Sequence, residues 1–218
     1  MVKSSALKTQ IGVSIYQLKT VKKNAAIVYI TDGDKAIENG MLETIHILSQ
    51  NHKLPEATYV FVSTIDQETS IDHRNDYFFC NEKYLSFFEN ELFPNIEGRY
   101  IKNSKEVNST LIGMSFGGLN AAYFSGKTDL FVNYVLFSPI TYPCDSFLKE
   151  ITFSTNEKLG IFISTGTYDA ETYTKPLTAI YRSKGFYIKS KRTNGGHDFD
   201  NWNGQIESAL NFLYNKHF

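Results

Sequence analysis

The chain is poor in cysteine: Cys80 and Cys144 are the only two in 218 residues. Two cannot make the framework of a disulfide-rich domain, and neither stands at a metal-ligand spacing. The expectation is therefore reduced, structurally incidental thiols and no metal site. Long apolar runs are missing too. No stretch of about 18 apolar residues exists to span a membrane, and the N-terminus carries Lys3 and Lys8 without the apolar segment of a secretory signal. A cytoplasmic location without membrane association follows by default. Excess charge is also lacking, since Lys+Arg 22 against Asp+Glu 23 leaves −1, which offers nucleic acid no general attraction. With no linker, repeat or low-complexity tract, residues 1–218 read as one domain.

What the chain does have is an ordinary globular balance, 42% hydrophobic and 21% charged, with a high aromatic content of 15%. Those rings either line an aromatic-binding pocket or fill the core. Residues 11–18 alternate apolar and polar, predicting an antiparallel edge strand followed by a basic turn at Lys19 to Lys23. Continuous apolar runs at Ala25–Ile30, Tyr59–Ser63, Leu111–Met114, Phe131–Phe137 and Gly160–Ser164 predict strands covered on both faces. Between them, Met41, Leu42, Ile45 and Leu48 repeat at helical spacing. So do Tyr84, Leu85, Phe88, Leu92 and Ile96, with Pro94 expected to bend that helix. Further helices are expected near Ser146–Ile151, over Thr172–Lys184, and at the C-terminus through Trp202, Ile206, Leu210 and Leu213. A last strand spans Phe186–Lys191. Thr64–Asn81 has no clear period and reads as a polar loop. The alternation predicts an α/β fold: a mostly parallel central sheet with helices on both faces.

Within this pattern Gly113-Met114-Ser115-Phe116-Gly117 stands where a buried strand turns into a helix starting on small residues. G-x-S-x-G in that setting is a nucleophile elbow. The serine occupies a strained turn, and glycines two residues either side let the backbone pass. Without the setting, the same residues would be a glycine-rich turn packing a helix on a sheet.

A serine hydroxyl needs a base, and the base an orienting carboxylate. Of five histidines, His197 alone follows a strand and two glycines, in Gly195-Gly196-His197. Asp169 follows the strand at Gly160–Ser164, giving the chain order Ser115, Asp169, His197. Glu171 is the alternative acid, a Ser-His dyad is conceivable, and Asp169 could instead cap the next helix. Oxyanion donors are expected at Phe116 N–H, just after the serine, and at Asp34 N–H in the Asp32-Gly33-Asp34 loop, with Gly33 N–H the second choice. Asp32-Gly33 also reads as a plain turn.

Together these blocks resemble the esterase branch of the α/β-hydrolases that includes enterochelin and related siderophore esterases, feruloyl esterases and mycolyltransferases. The resemblance rests on VYITDGD, Arg74-Asn75-Asp76-Tyr77, FFENELFPNIEGRY, LIGMSFGGLNAAYF, FSP, STGTYD and GGHDFDNW, and covers most of the chain. It implies an α/β-hydrolase fold, ester hydrolysis without cofactor or metal, and a small-molecule ester substrate, with Ser115, His197 and Asp169 as triad. GGHD followed by Trp202 is most similar to the siderophore esterases, in which the acid position varies. The chain is short for that family and without the extra N-terminal domain some members carry, which would reduce lid and pocket. Arg74, Gly33 and Trp202 are the candidate substrate-binding residues. Arg74 would meet catecholate or carboxylate oxygens, or else pair with Asp72 or Asp76. A general or carbohydrate-linked acyl esterase and a catalytically silent binding scaffold remain the alternatives. Acyl acceptor and oligomeric state are left open.

Overall fold

A computed structural model describes residues 1–18, 26–100, 108–153, 158–169 and 171–215; the basic turn expected at Lys19 to Lys23 lies outside the described residues. Eight strands form one sheet in the order β1-β2-β4-β3-β5-β6-β7-β8. Those from β4 to β8 are β4 (Ala57–Asp66), β3 (Ala26–Ile30), β5 (Ser109–Met114), β6 (Asn133–Phe137), β7 (Gly160–Gly166) and β8 (Tyr187–Thr193), all parallel. β2 (Thr9–Tyr16) pairs antiparallel with β4, and the outermost strand is β1 (Val2–Ser4), antiparallel to β2. At three residues β1 is too short to show a period in sequence.

Strand periodicity sorts the central side chains to two faces. Val28, Ile30, Ile112 and Met114 pack against α1 (Gly33–Glu38), α2 (Met41–Gln50), α9 (Phe199–Asn203) and α10 (Ile206–Tyr214). Ile27, Tyr29 and Leu111 face the other layer. That layer comprises α3 (Arg74–Phe78), α4 (Glu82–Phe87), α5 (Phe93–Tyr100), α6 (Phe116–Lys127), α7 (Phe147–Phe153) and α8 (Glu171–Ser183). Here the aromatic content fills core. Tyr29, Tyr84, Phe88, Phe124 and Phe131 are buried with neighbouring ring centroids between 5.1 and 6.2 Å apart, each ring contributing roughly 1.5–3 kcal/mol by burial.

Several expectations are corrected. Thr64–Asn81 is not all loop: β4 runs on to Asp66, and the five-residue α3 follows. The expected bend at Pro94 is a π-helical turn over Phe88–Leu92, just ahead of the proline that cannot donate to the preceding turn. The C-terminal helix is two, parted at Gly204 and Gln205. The cysteines are not free thiols. Cys80, after α3, and Cys144, between β6 and α7, lie with Cα atoms 6.3 Å apart and form a disulfide. Both pack against the α3–α8 face of the core, so topology closes a gap of 64 residues that spacing alone could not reveal. In the chain-entropy account such a closure contributes about 4 kcal/mol.

Candidate active site

The chain goes from β3 outward to β4 and then crosses back to β5 on the other side of β3. The loops after β3 and β5 therefore diverge at a topological switch point, where open α/β sheets place ligands. One of these loops carries Asp32-Gly33-Asp34 and the other Ser115. Thr31 ties them together, its N–H donating to Ile112 O at 3.1 Å and its hydroxyl to the same oxygen at 3.2 Å.

Ser115 has φ 56° and ψ −120°, a conformation L-residues rarely adopt. It persists because the surroundings hold it. Its N–H donates to Phe137 O (2.9 Å), and its carbonyl accepts from Gly118 N (3.0 Å), Leu119 N (3.2 Å) and Ile140 N (3.3 Å). A Cβ at Gly113 would run into the Gly117 carbonyl, and one at Gly117 would come within 2.8 Å of Thr31 Oγ1. Both glycines are therefore steric requirements of the turn. Ser115 is half-buried, and among the described residues no hydrogen bond of its Oγ is found.

β7 and β8 deliver the other two groups to the same edge. His197 Nδ1 lies 2.9 Å from Asp169 Oδ1, with the imidazole 32% and the carboxylate 5% exposed. An ionised carboxylate only accepts, so Nδ1 carries the proton and Nε2 is left as the acceptor of a neutral imidazole. Glu171, the alternative acid, is turned away: it pairs with Lys175 (2.8 Å) and Arg192 (2.9 Å), and the Lys175 hydrogen bond holds its carboxyl below the usual range. The loops are braced by Thr167 N–H to Thr193 O (2.8 Å) and Tyr168 N–H to Gly195 O (3.1 Å). Asp198 caps α9, accepting from Asn201 N at 2.9 Å.

Phe116 is the first residue of α6, and Gly33 and Asp34 are the first two of α1. The opening amides of a helix have no partner within it, and its dipole favours negative charge there. The Asp34 carboxylate is held by the Ser63 hydroxyl on β4. Asp32-Gly33 is thus not a plain turn but the entry to a short helix, with Asp32 at φ 55°.

Two expected substrate residues are otherwise engaged. Trp202 is only 5% exposed. Its indole meets the His197 ring edge-on at 5.2 Å and donates to Ser138 Oγ at 3.0 Å. It buttresses the imidazole rather than forming a wall for substrate. The Arg74 guanidinium pairs with neither Asp72 nor Asp76, although the Arg74 backbone N–H donates to Asp72 Oδ1 at 3.0 Å: its Nε donates to both oxygens of Asp32, at 2.7 and 2.8 Å. Its guanidinium lies over the rings of Phe78 and Phe116. Asp72 instead takes Lys35 (3.0 Å), and Asp76 takes His73 (3.3 Å). Burial pushes the Asp32 carboxyl up, while the Arg74 charge and hydrogen bond, helped by Lys35, pull it back. The pair joins the residue before the α1 amides to the ring of the residue after Ser115.

Arg74→Leu should therefore cost about 3–5 kcal/mol by leaving Asp32 buried and unpaired, read as a lower urea midpoint. Adding Asp32→Asn should restore part of it. A midpoint unchanged by Arg74→Leu would show that the pair bears no structural weight.

A mostly parallel sheet flanked by helices, with a strained serine between strand and helix and a His–Asp pair at the same edge, is an α/β-hydrolase fold. Residues 4–213 match the family described as "Putative esterase", and the chain belongs to it. Among solved structures, the BES protein from Bacillus cereus is 18% identical with a TM-score of 0.76, covering 98% of this chain and 93% of that one. The enterobactin esterase FES from Shigella flexneri, solved in the presence of enterobactin, is 21% identical with a TM-score of 0.80. This chain is covered over 98% and spans 57% of that protein. A ferulic acid esterase is 16% identical with a TM-score of 0.75, covering 97% and 94%. No curated protein matches. At these identities the structural likeness establishes the fold alone.

Proposed function

We propose that the chain is a serine ester hydrolase working through an acyl-enzyme. The observation that carries this reading is the strained Ser115 elbow at the sheet edge that also bears the His197–Asp169 hydrogen bond. Ser115 Oγ attacks the acyl carbon as its proton passes to His197 Nε2. Asp169 holds the imidazole in the right tautomer and stabilises the imidazolium. The Phe116 and Asp34 amides, with Gly33 N–H the second choice, receive the oxyanion, a role in which a single donor is typically worth about 3–4 kcal/mol. His197 then returns the proton to the departing alcohol, and water, deprotonated by the same imidazole, releases the acid.

For substrate, a siderophore-type ester is the first reading, supported by the likeness to the Shigella esterase. A feruloyl-type ester is the second, supported by the ferulic acid esterase, which the chain matches over 94% of that protein's length. Steady-state kinetics on a triscatecholate trilactone, a feruloyl ester and a short p-nitrophenyl ester will rank them. The expectation is that kcat/KM is highest for the trilactone. No preference for it removes the siderophore reading, and no turnover of any of the three removes the hydrolase reading. As for location, the Cys80–Cys144 disulfide favours an oxidising compartment over the reducing cytoplasm expected from thiols.

A further inference from the structure

An oxyanion site needs donors that no other acceptor has taken. The loop after β3 sets two acidic side chains against that need, since Asp32 precedes the Gly33 amide and Asp34 carries the amide assigned above to the oxyanion. Either carboxylate would be expected on those amides. Aspartate is favoured at a helix N-cap because its side chain accepts from an amide two or three residues on, and acidic groups in the first turn are drawn to the same free N–H groups. Neither does so here. No side chain caps α1, and among the described residues the Gly33 and Asp34 N–H groups meet no acceptor.

Each carboxylate is held elsewhere by a side chain from a neighbouring element. Asp32 lies at φ 55° and ψ 38° rather than in the extended conformation of an ordinary N-cap. Both its oxygens take Arg74 Nε, from α3. Asp34 is taken by Ser63 on β4, a residue only 2% exposed. The Ser63 oxygen accepts Ile65 N–H at 2.9 Å, which leaves its own proton for the Asp34 carboxylate, the Ile65 carbonyl at 3.4 Å being the poorer acceptor. Lys35, next along the chain, is engaged with Asp72 at 3.0 Å. The hydroxyl is therefore the anchor of Asp34.

We infer that Ser63 and Arg74 are positioning residues of the oxyanion hole, drawing the Asp34 and Asp32 carboxylates off the amides that the tetrahedral intermediate must use. The inference rests on the ester-hydrolase reading and adds to it how an oxyanion site is kept open in an acidic loop. Released, either carboxylate would occupy the Gly33 or Asp34 N–H and repel the negative oxygen forming beside it. A substrate carbonyl carries no full charge, so the penalty falls on the transition state: kcat drops and KM does not.

Steady-state kinetics of Ser63→Ala and Ser63→Ala/Asp34→Ala test it, on whichever of the three esters the unaltered chain hydrolyses fastest. Ser63→Ala should lower kcat at least about tenfold, toward the roughly 10²–10³-fold that loss of one oxyanion donor costs, with KM within about twofold. Adding Asp34→Ala keeps the backbone N–H and removes the competitor, so the double variant should regain most of that loss. A packing fault at Ser63 would not be relieved by deleting a further side chain. Arg74→Leu, with and without Asp32→Asn, should show the same loss and relief. Urea midpoints check folding, and either pair decides if the other's single variant does not fold. A kcat within about twofold of the unaltered chain's in the folded single variants, or a loss that removing the carboxylate does not relieve, overturns the inference and leaves the hydrolase reading standing. No turnover of any ester by the unaltered chain overturns both.

Discussion

Ser115→Ala should lower ester turnover by at least about 10⁴-fold and abolish covalent labelling by a fluorophosphonate, while leaving the fold intact. The fold should survive because everything that holds the elbow is backbone: Ser115 N–H on Phe137 O, and the Ser115 carbonyl taken by Gly118, Leu119 and Ile140. Alanine keeps the Cβ, so it inherits the strain at φ 56° without adding to it. The Phe116 and Asp34 amides stay in place, and background hydrolysis accelerated by the oxyanion hole should therefore remain measurable. Labelling stoichiometry by intact mass, alongside a urea midpoint equal to that of the unaltered chain, separates lost chemistry from lost structure. Labelling that persists in a folded Ser115→Ala protein would place the nucleophile elsewhere.

The elements that bear this site were legible because their side chains are constrained on both sides. Ile27–Ile30, Leu111–Met114 and Tyr134–Phe137 are buried whichever way they point, which leaves an uninterrupted apolar run in sequence. The elbow was legible for a steric reason, since its glycines are required by the backbone they pass. What could not be read depends on who meets whom across the sheet. Arg74 had Asp72 and Asp76 within two residues, yet its partner is Asp32, 42 residues away, because the switch point brings the β3 loop beneath α3. The disulfide is of the same kind. Trp202 fitted an amphipathic pattern, but that pattern cannot tell that its indole N–H would find Ser138 and its edge His197. Short elements such as β1, α1 and α3 fall below the length at which a period can be counted.

Asp169→Asn should reduce kcat by about 10⁴-fold, and Glu171→Gln should leave it within about threefold. The two carboxylates are two residues apart in sequence, so the contrast isolates geometry from local charge. The Asp169 carboxylate is 5% exposed and accepts from His197 Nδ1 at 2.9 Å. An asparagine there can turn its amide to donate to Nδ1, which forces the proton onto Nε2, the atom that must accept from Ser115. The defect is one of tautomer, so the variant should retain substrate affinity and lose turnover, with kcat rather than KM carrying the change. Glu171 faces the other way, onto Lys175 and Arg192. Because its carboxyl is held below the usual range, it is ionised wherever the enzyme is assayed near neutrality. Glutamine removes that charge without touching the imidazole. If Glu171→Gln proved the more damaging of the two, the acid would have to swing from its ion pairs to His197 during the reaction. A loss shared equally by both variants would instead mean that the loop, rather than either carboxylate, orients the base.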